Sequence, residues 1–592
     1  MKRLGVIVFG VLWTMMSFAA HYGILVNGKT YFAGTYRGKD TNTGTYDEYL
    51  AHVALSNGDH FQLYDAENKA AWAVELDTWS VAGFTKSGDH YVCSKSGCFD
   101  CYIKLKWGED QLYIGNGSNC GAGEDVDHIY AGSVPAQCEA VLMQAFYNES
   151  YRADAPGVST YGDTKWKTLT PQAQEIGRYF DYIWLPPSAN GDGMGYHPKQ
   201  YSNQNSNWGT REELEALIDA LHKAGAKVVA DIVINHCAGW TSWCDFPEMD
   251  FGEYGVFHPD ASYICKDDEV NKNPEAGACY GTATGSYDDG DNWDGARDWS
   301  HDKVYVQTMF KAYLQWLRNV MKYDGFRYDK GDGFNNWHHD NYNNAAKPEI
   351  AFMECYCGDD QIIAGIQGAN YNLMGLDFQT KWRAFDGIAG FDYSRCQGSG
   401  LLGRGFAKYA VTFIESHDWF LRPDNENEFG GRGNSMKPEL KDRLMQANAF
   451  LLGMPGVPCV FYPHWVKYKE EIKPMVEARK LAGVHSESPV YDEVAEQGGY
   501  QCTLQGKYGW LVLQLGNKTT HSGWGDPAYK LVAKGPGYAM WVNRTAPIEE
   551  QTGVEETNSE ERRVKSEKFV ENGQLLIRVG DKTYDIFGRL IK

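Results

Sequence analysis

The sequence runs to 592 residues with a formal net charge of −22, 43% hydrophobic residues and 14% aromatic ones. At about 150 residues per domain, this length implies three or four domains and a sizeable buried core. The acidic balance argues against gripping nucleic-acid phosphates, which needs basic surface, and the apolar content excludes a chain disordered throughout.

Residues 1–20 have the layout of a secretory signal peptide: Lys2 and Arg3, an apolar run from Leu4 to Trp13, then small residues around Ser17 and Ala20. The alternative, a transmembrane anchor, is disfavoured because the run is well short of the roughly 20 residues a spanning helix needs. No later segment is long and apolar enough to span, so a secreted, extracellular or cell-surface protein is expected, with no transmembrane segment in the mature chain. Fourteen cysteines then make disulfides plausible. Cys93, Cys98, Cys101 and Cys120 crowd one stretch, and Cys237, Cys244, Cys265 and Cys279 another, but spacing does not fix their pairing. Zinc at Cys93, Cys98 and Cys101 is the alternative, and no His lies near them in sequence.

Over residues 21–135, short strands such as Gly23 to Val26, His60 to Tyr64 and Gln111 to Ile114 are broken by Gly, Asn and Asp, predicting a β-sandwich-like module. Its Trp72, Trp79 and Trp107 suit either a core or a sugar-stacking face. From 139 to 486, apolar strands alternate with helices. Strands are predicted at Val141 to Phe146, Tyr182 to Leu185, Val228 to Ile234, Gly325 to Tyr328, Ile350 to Met353, Val411 to Ile414 and Val457 to Phe461. A helix opens at Thr210 with Glu213 as a capping box, carries Leu214, Leu217, Ile218 and Leu221, and stops at Gly225. This alternation predicts a parallel α/β domain whose length suits a (β/α)8 TIM barrel, with a doubly wound sheet as the alternative. Residues 237–300 break the pattern and read as an irregular subdomain inserted after strand 3. A C-terminal β domain over 487–545, a charged linker over 546–568 and a strand-like tail over 569–592 complete the chain.

Barrel chemistry gathers where strands end and loops begin. The strand Val228 to Ile234 contains Asp231 and closes on Asn235-His236. Gly325 to Tyr328 contains Arg327 and closes on Asp329, Ile350 to Met353 closes on Glu354, and Val411 to Ile414 runs into Glu415-Ser416-His417-Asp418. Two carboxylates at neighbouring strand ends are the minimum for glycoside hydrolysis, one as nucleophile and one as general acid. Arg327 lies two residues before Asp329, on the same side of the strand, and its guanidinium favours an ionised Asp329. Glu354 must instead keep its proton near neutral pH, through poor solvation or a like charge such as that of Asp418.

With these motifs in order, DIVINH (231–236), GFRYD (325–329), MECY (353–356) and ESHD (415–418), the chain resembles glycoside hydrolase family 13, the α-amylases. GYHPKQY (195–201), MPGVPCVFY (454–462), GVHSES (483–488) and GPGYAMW (535–541) extend the resemblance over about residues 139 to 545. It implies Asp329 as nucleophile, Glu354 as general acid/base and Asp418 as transition-state stabiliser. It further implies substrate contacts from Tyr196, His236, Arg327 and His417, and a structural calcium held by Asn235, Asp298 and the backbone of Gly333, with the acidic run Asp288-Asp289-Gly290-Asp291 nearby. The implied substrates are starch, glycogen or maltooligosaccharides, cleaved internally at α-1,4 bonds by a monomer. A maltooligosaccharide-forming or glycosyl-transferring relative, and a non-catalytic starch-binding surface protein, are the alternatives. Two departures bear on chain-length preference: Asp332 stands where the family usually has Lys, and Trp419 where a small polar residue is common. Residues 58–65 give the N-terminal module a resemblance to starch-binding modules. Residues 569–592 resemble C-terminal tails of proteins exported by a type IX system, although a small extra β element would read the same way.

Overall fold

The computed structural model describes residues 22–545 apart from 41–43, 67–69, 107–109, 119, 122, 126–129, 131, 241–244, 269–282, 292, 294, 421–438 and 521–526, together with 566–571, 574–579 and 582–585. The expected signal peptide, Trp107, Cys244, Cys279 and most of the expected 546–568 linker lie outside the described residues. Two units are distinguished, up to Thr545 and from Ala546 onward.

Eight strands between Leu142 and Phe461 form a closed parallel barrel. These are β1 (Leu142–Gln144), β2 (Tyr182–Trp184), β3 (Lys227–Ile232), β4 (Gly325–Tyr328), β5 (Ile350–Met353), β6 (Met374–Leu376), β7 (Ala410–Phe413) and β8 (Val457–Phe461). Except at Lys227, every strand residue is buried, as parallel strands sandwiched between a barrel interior and a ring of helices must be. The doubly wound alternative is therefore excluded, because β8 closes the sheet by pairing with β1. The helix Arg211–Lys223 opens on Thr210 and Glu213 with both halves of the capping box formed, and buries Leu214, Leu217, Ile218 and Leu221.

Sequence periodicity names seven of these strands and misses β6. That strand is three residues long with Gly375 at its centre, too short to show a period. The glycine is needed there, since a Cβ would lie 2.6 Å from Cγ2 of Ile362 in the helix Asp359–Gly368. Strand β3 also ends two residues earlier than its apolar run suggests. His236–Cys237 turns away to pair with Arg297–Asp298, tying the end of the inserted subdomain back to the start. Between these ties, the described residues of the insertion hold only two-residue strands and short 3-10 turns.

The N-terminal module packs a seven-stranded sheet against a five-stranded one around Ile24, Phe61, Val53, Phe99, Ile103 and Ile114, a β-sandwich. Within it Cys98 is bonded to Cys120, while Cys93 and Cys101 are buried free thiols. A second disulfide joins Cys355 to Cys357. After the barrel, Val490–Glu496, Gly499–Gln505, Gly509–Gly516, Tyr538–Arg544 and Lys530–Gly535 form, in that order, one antiparallel sheet. In the second unit Ser566–Glu571, Gln574–Val579 and Lys582–Asp585 make a three-stranded antiparallel sheet. Among the described residues no helix is long and apolar enough to cross a membrane.

Candidate active site

Three strand ends converge on one guanidinium. Asp231 on β3 and Arg327 on β4 are direct register partners, so their side chains emerge together at the C-terminal mouth of the barrel. Arg327 Nη1 donates to Asp231 Oδ1 at 2.7 Å and to Asp329 Oδ1 at 2.8 Å, while Nη2 pairs with Glu354 Oε2 at 2.7 Å. A single buried cation thus holds three carboxylates in place, a task suited to the planar, always-charged fork of arginine. Asp231 also accepts hydrogen bonds from the Tyr196 hydroxyl at 2.8 Å and the Trp184 indole at 3.0 Å. Its role as the anchor of Arg327 was not assigned from sequence. The usable signal was its position inside an apolar strand, on the face that adjoins Arg327.

Burial governs the protonation of this cluster. It pushes Asp329 up to about 6, with Arg327 opposing and the Asp231 and Asp418 charges reinforcing the rise. The guanidinium beside Asp329 therefore favours its ionised form, as the spacing suggests, and burial raises the carboxyl against it. Glu354 is pushed higher, to about 8, by burial first; Arg327 again opposes, and Asp329 and Asp418 add repulsion. The like-charge contribution expected from Asp418 is present.

Tyr196 and His417 stack face to face, ring centroids 5.0 Å apart and planes 5° from parallel. His417 Nδ1 is 2.8 Å from the Gln144 side-chain amide, which fixes the ring, and Nε2 faces Asp418 Oδ1 at 3.5 Å. His236 is buried, with Nε2 2.9 Å from the Tyr196 carbonyl and Nδ1 3.3 Å from the Asn235 amide, so protein groups face both nitrogens. Burial lowers its pKa to about 3, leaving a neutral imidazole. The structure thus brings together all seven residues expected at the catalytic and substrate positions. Trp419 instead is core: it stacks over Phe413 and has the Lys381 ammonium 4.7 Å from its ring. Lys381, in the π turn Lys381–Phe385, also donates to the Ile414 carbonyl and lies 3.7 Å from Glu415, bracing the loop that carries His417 and Asp418. At the departure from the family pattern, Lys330 reaches Asp332 at 3.0 Å and Asp291 at 2.6 Å, so an ammonium neutralises the unexpected carboxylate.

The residues expected to hold calcium fit a hard cation. Asn235 Oδ1, Asp298 Oδ2 and Asp288 Oδ2 are buried oxygens without hydrogen-bond partners. A Cβ on Gly333 would fall 2.2 Å from Asn235 Oδ1, so only glycine lets that backbone approach the amide. Burial, reinforced by the Asp268 and Asp288 charges, pushes Asp298 up to about 9, a cost that a divalent cation among these oxygens would remove. Asp289, Asp302 and His338 form a further group with ligand atoms close enough to share an ion.

The family model described as the α-amylase catalytic domain matches residues 173–355, which include Asp329 and Glu354. An α-amylase type B isozyme of Hordeum vulgare is 31% identical over 134 residues, covering 22% of this chain and 78% of that protein. The chain belongs to the α-amylase family. It is a glycoside hydrolase by that membership. A probable α-amylase 2 of Arabidopsis thaliana is 26% identical over 440 residues, spanning 70% of this chain and 97% of that one. A glucan 1,4-alpha-maltotetraohydrolase of Stutzerimonas stutzeri is 26% identical over 425 residues, 65% of this chain and 69% of its own length. Among solved structures, the γ-CGTase of alkalophilic Bacillus clarkii superposes with a TM-score of 0.51 at 15% identity, covering 70% of this chain and 71% of that one, which supports the shared α-amylase fold.

Proposed function

We propose that this α-amylase family member is a secreted, calcium-dependent enzyme that cleaves internal α-1,4 bonds of starch and related glucans with retention of configuration. The observation that carries this reading is the shared guanidinium. Asp329 and Glu354 each pair with one nitrogen of the Arg327 guanidinium, at 2.8 Å and 2.7 Å, which holds the two carboxylates side by side, the arrangement that double displacement uses. Asp329 attacks the anomeric carbon while Glu354 protonates the departing glycosidic oxygen. Glu354 then takes a proton from water, which releases the sugar from Asp329 with its α configuration. Asp418, beside both, stabilises the positive charge that develops on the ring. Tyr196 and His417 form the wall against which that sugar lies, and His236, beside the Tyr196 carbonyl, borders it.

Calcium, when bound, neutralises the Asp288 and Asp298 carboxylates, and this chain would hold it through Asn235, Asp298 and the Gly333 backbone. In the N-terminal sandwich Trp79 is 84% exposed, which supports a starch-binding role for residues 21–135. Residues 139–486 are the catalytic barrel with its insertion at 237–300, 487–545 the accessory β domain, and 546–568 a linker into a sorting tail whose first strand, Ser566–Glu571, begins three residues before the expected boundary at 569.

Proton NMR of the first products from soluble starch tests the mechanism: α anomers in a broad mixture of lengths are expected. Products of β configuration would sink the double displacement. Because a maltotetraohydrolase is among the relatives, a single dominant early tetrasaccharide would favour that activity over endo cleavage.

A further inference from the structure

Trp293 is not among the residues picked out by motif, yet it borders the site. It stands in the inserted subdomain with 37% of its surface exposed, while its indole centroid lies 4.6 Å from that of His236 and 6.3 Å from that of His197. His236 contacts the Tyr196 carbonyl, so the indole sits one side chain away from the wall at the proposed cleavage point.

The ring is also held firmly for an exposed aromatic. Gly295 leaves the space the indole occupies, since a Cβ there would meet Cζ2 at 2.1 Å. Two residues earlier, the Asp291 N–H donates to the Asp332 carbonyl at 2.8 Å, and its carboxylate holds the ammonium of Lys330, the residue after Asp329. A core tryptophan would be buried, and an incidental surface one would not pack against two histidine rings and a glycine. A fixed, half-wet indole beside a sugar cleft matches the apolar C–H face of a pyranose ring, an aromatic body with a water-facing edge.

We propose that Trp293 is a specificity-determining platform that stacks on the glucosyl unit flanking the one lying against Tyr196 and His417, and so sets the chain length the enzyme prefers. This rests on the glucan-hydrolase reading above.

The test measures kcat and KM for the full chain on maltotriose through maltoheptaose, with wild type, Trp293→Ala and Trp293→Phe. Trp293→Ala should lower kcat/KM about tenfold on oligosaccharides long enough to reach the platform, the scale of losing about 50 Å² of apolar contact. The loss should fall mainly on KM, the shortest substrate should be little affected, and Phe should restore most of it. An unchanged length profile in Trp293→Ala, with wild type active, would overturn the platform and leave the glucan-hydrolase reading standing. A uniform loss at every length that Phe does not restore would also overturn it, as the mark of a structural role. Wild type inactive on every glucan would instead remove the functional reading, and this inference with it.

Discussion

At the residue scale, the active site depends on opposite demands made of two carboxylates around one cation. Asp329 must be ionised to attack and Glu354 protonated to donate, and burial raises both against the Arg327 charge, to about 6 and about 8. The sign follows directly. Below about 6 Asp329 takes up a proton and the nucleophile is lost, and above about 8 Glu354 gives up its proton and the acid is lost. The dependence of kcat/KM on pH should therefore be a bell with its plateau between those values, its limbs belonging to the coupled pair. A rate that keeps rising to pH 10 would contradict the assignment of Glu354 as the acid. The pairing of Arg327 with Asp329 was legible from their i, i+2 spacing on a strand. The sharing of that guanidinium with Asp231 and Glu354 was not, because it depends on which strands lie side by side.

At the scale of elements, the insertion between β3 and β4 does more than extend the chain. Its last segment returns to pair with His236–Cys237, and its acids Asp268, Asp288 and Asp298 gather against Asn235 and Gly333 at the ends of the two flanking strands. Repulsion among these acids is the reason a cation is expected to fasten the subdomain to the barrel. Removing calcium with excess chelator should accordingly lower the melting temperature by several degrees, since a ligand bound only by the folded state stabilises it. Gly333→Ala should reduce that response, because the new methyl group collides with Asn235 Oδ1. Calorimetry with and without chelator checks both. An identical melting temperature in wild type under the two conditions would rule out a structural ion. Asn235 and Asp298 were reachable from sequence only through the family resemblance. The close approach of Gly333 to Asn235 Oδ1 depends on packing between loops, which no sequence spacing carries.

Across the whole molecule, periodicity conveyed most of the architecture. Apolar strands, a capped amphipathic helix and turn-rich flanks separated barrel, insertion and β domains, and barrel closure settled the choice between ring and open sheet. What escaped were the features without a period: the three-residue β6, the bracing of the ESHD loop by Lys381, and Trp293, whose importance comes from a neighbour 57 positions away in the chain. Two cysteine crowds signalled disulfides, but the Cys355–Cys357 bridge, immediately after Glu354, lies in neither of them.

The barrel, the insertion and the carboxylate cluster serve one claim, that this chain hydrolyses glucans using Glu354 as its proton donor. Release of reducing sugar from soluble starch over time, with wild type and Glu354→Gln side by side, measures it most directly. Wild type should be active, and Glu354→Gln, nearly isosteric but unable to donate, should be slower by about 10²- to 10⁴-fold while still binding starch. Wild-type-like turnover by Glu354→Gln, or no sugar released by either protein, would contradict the account.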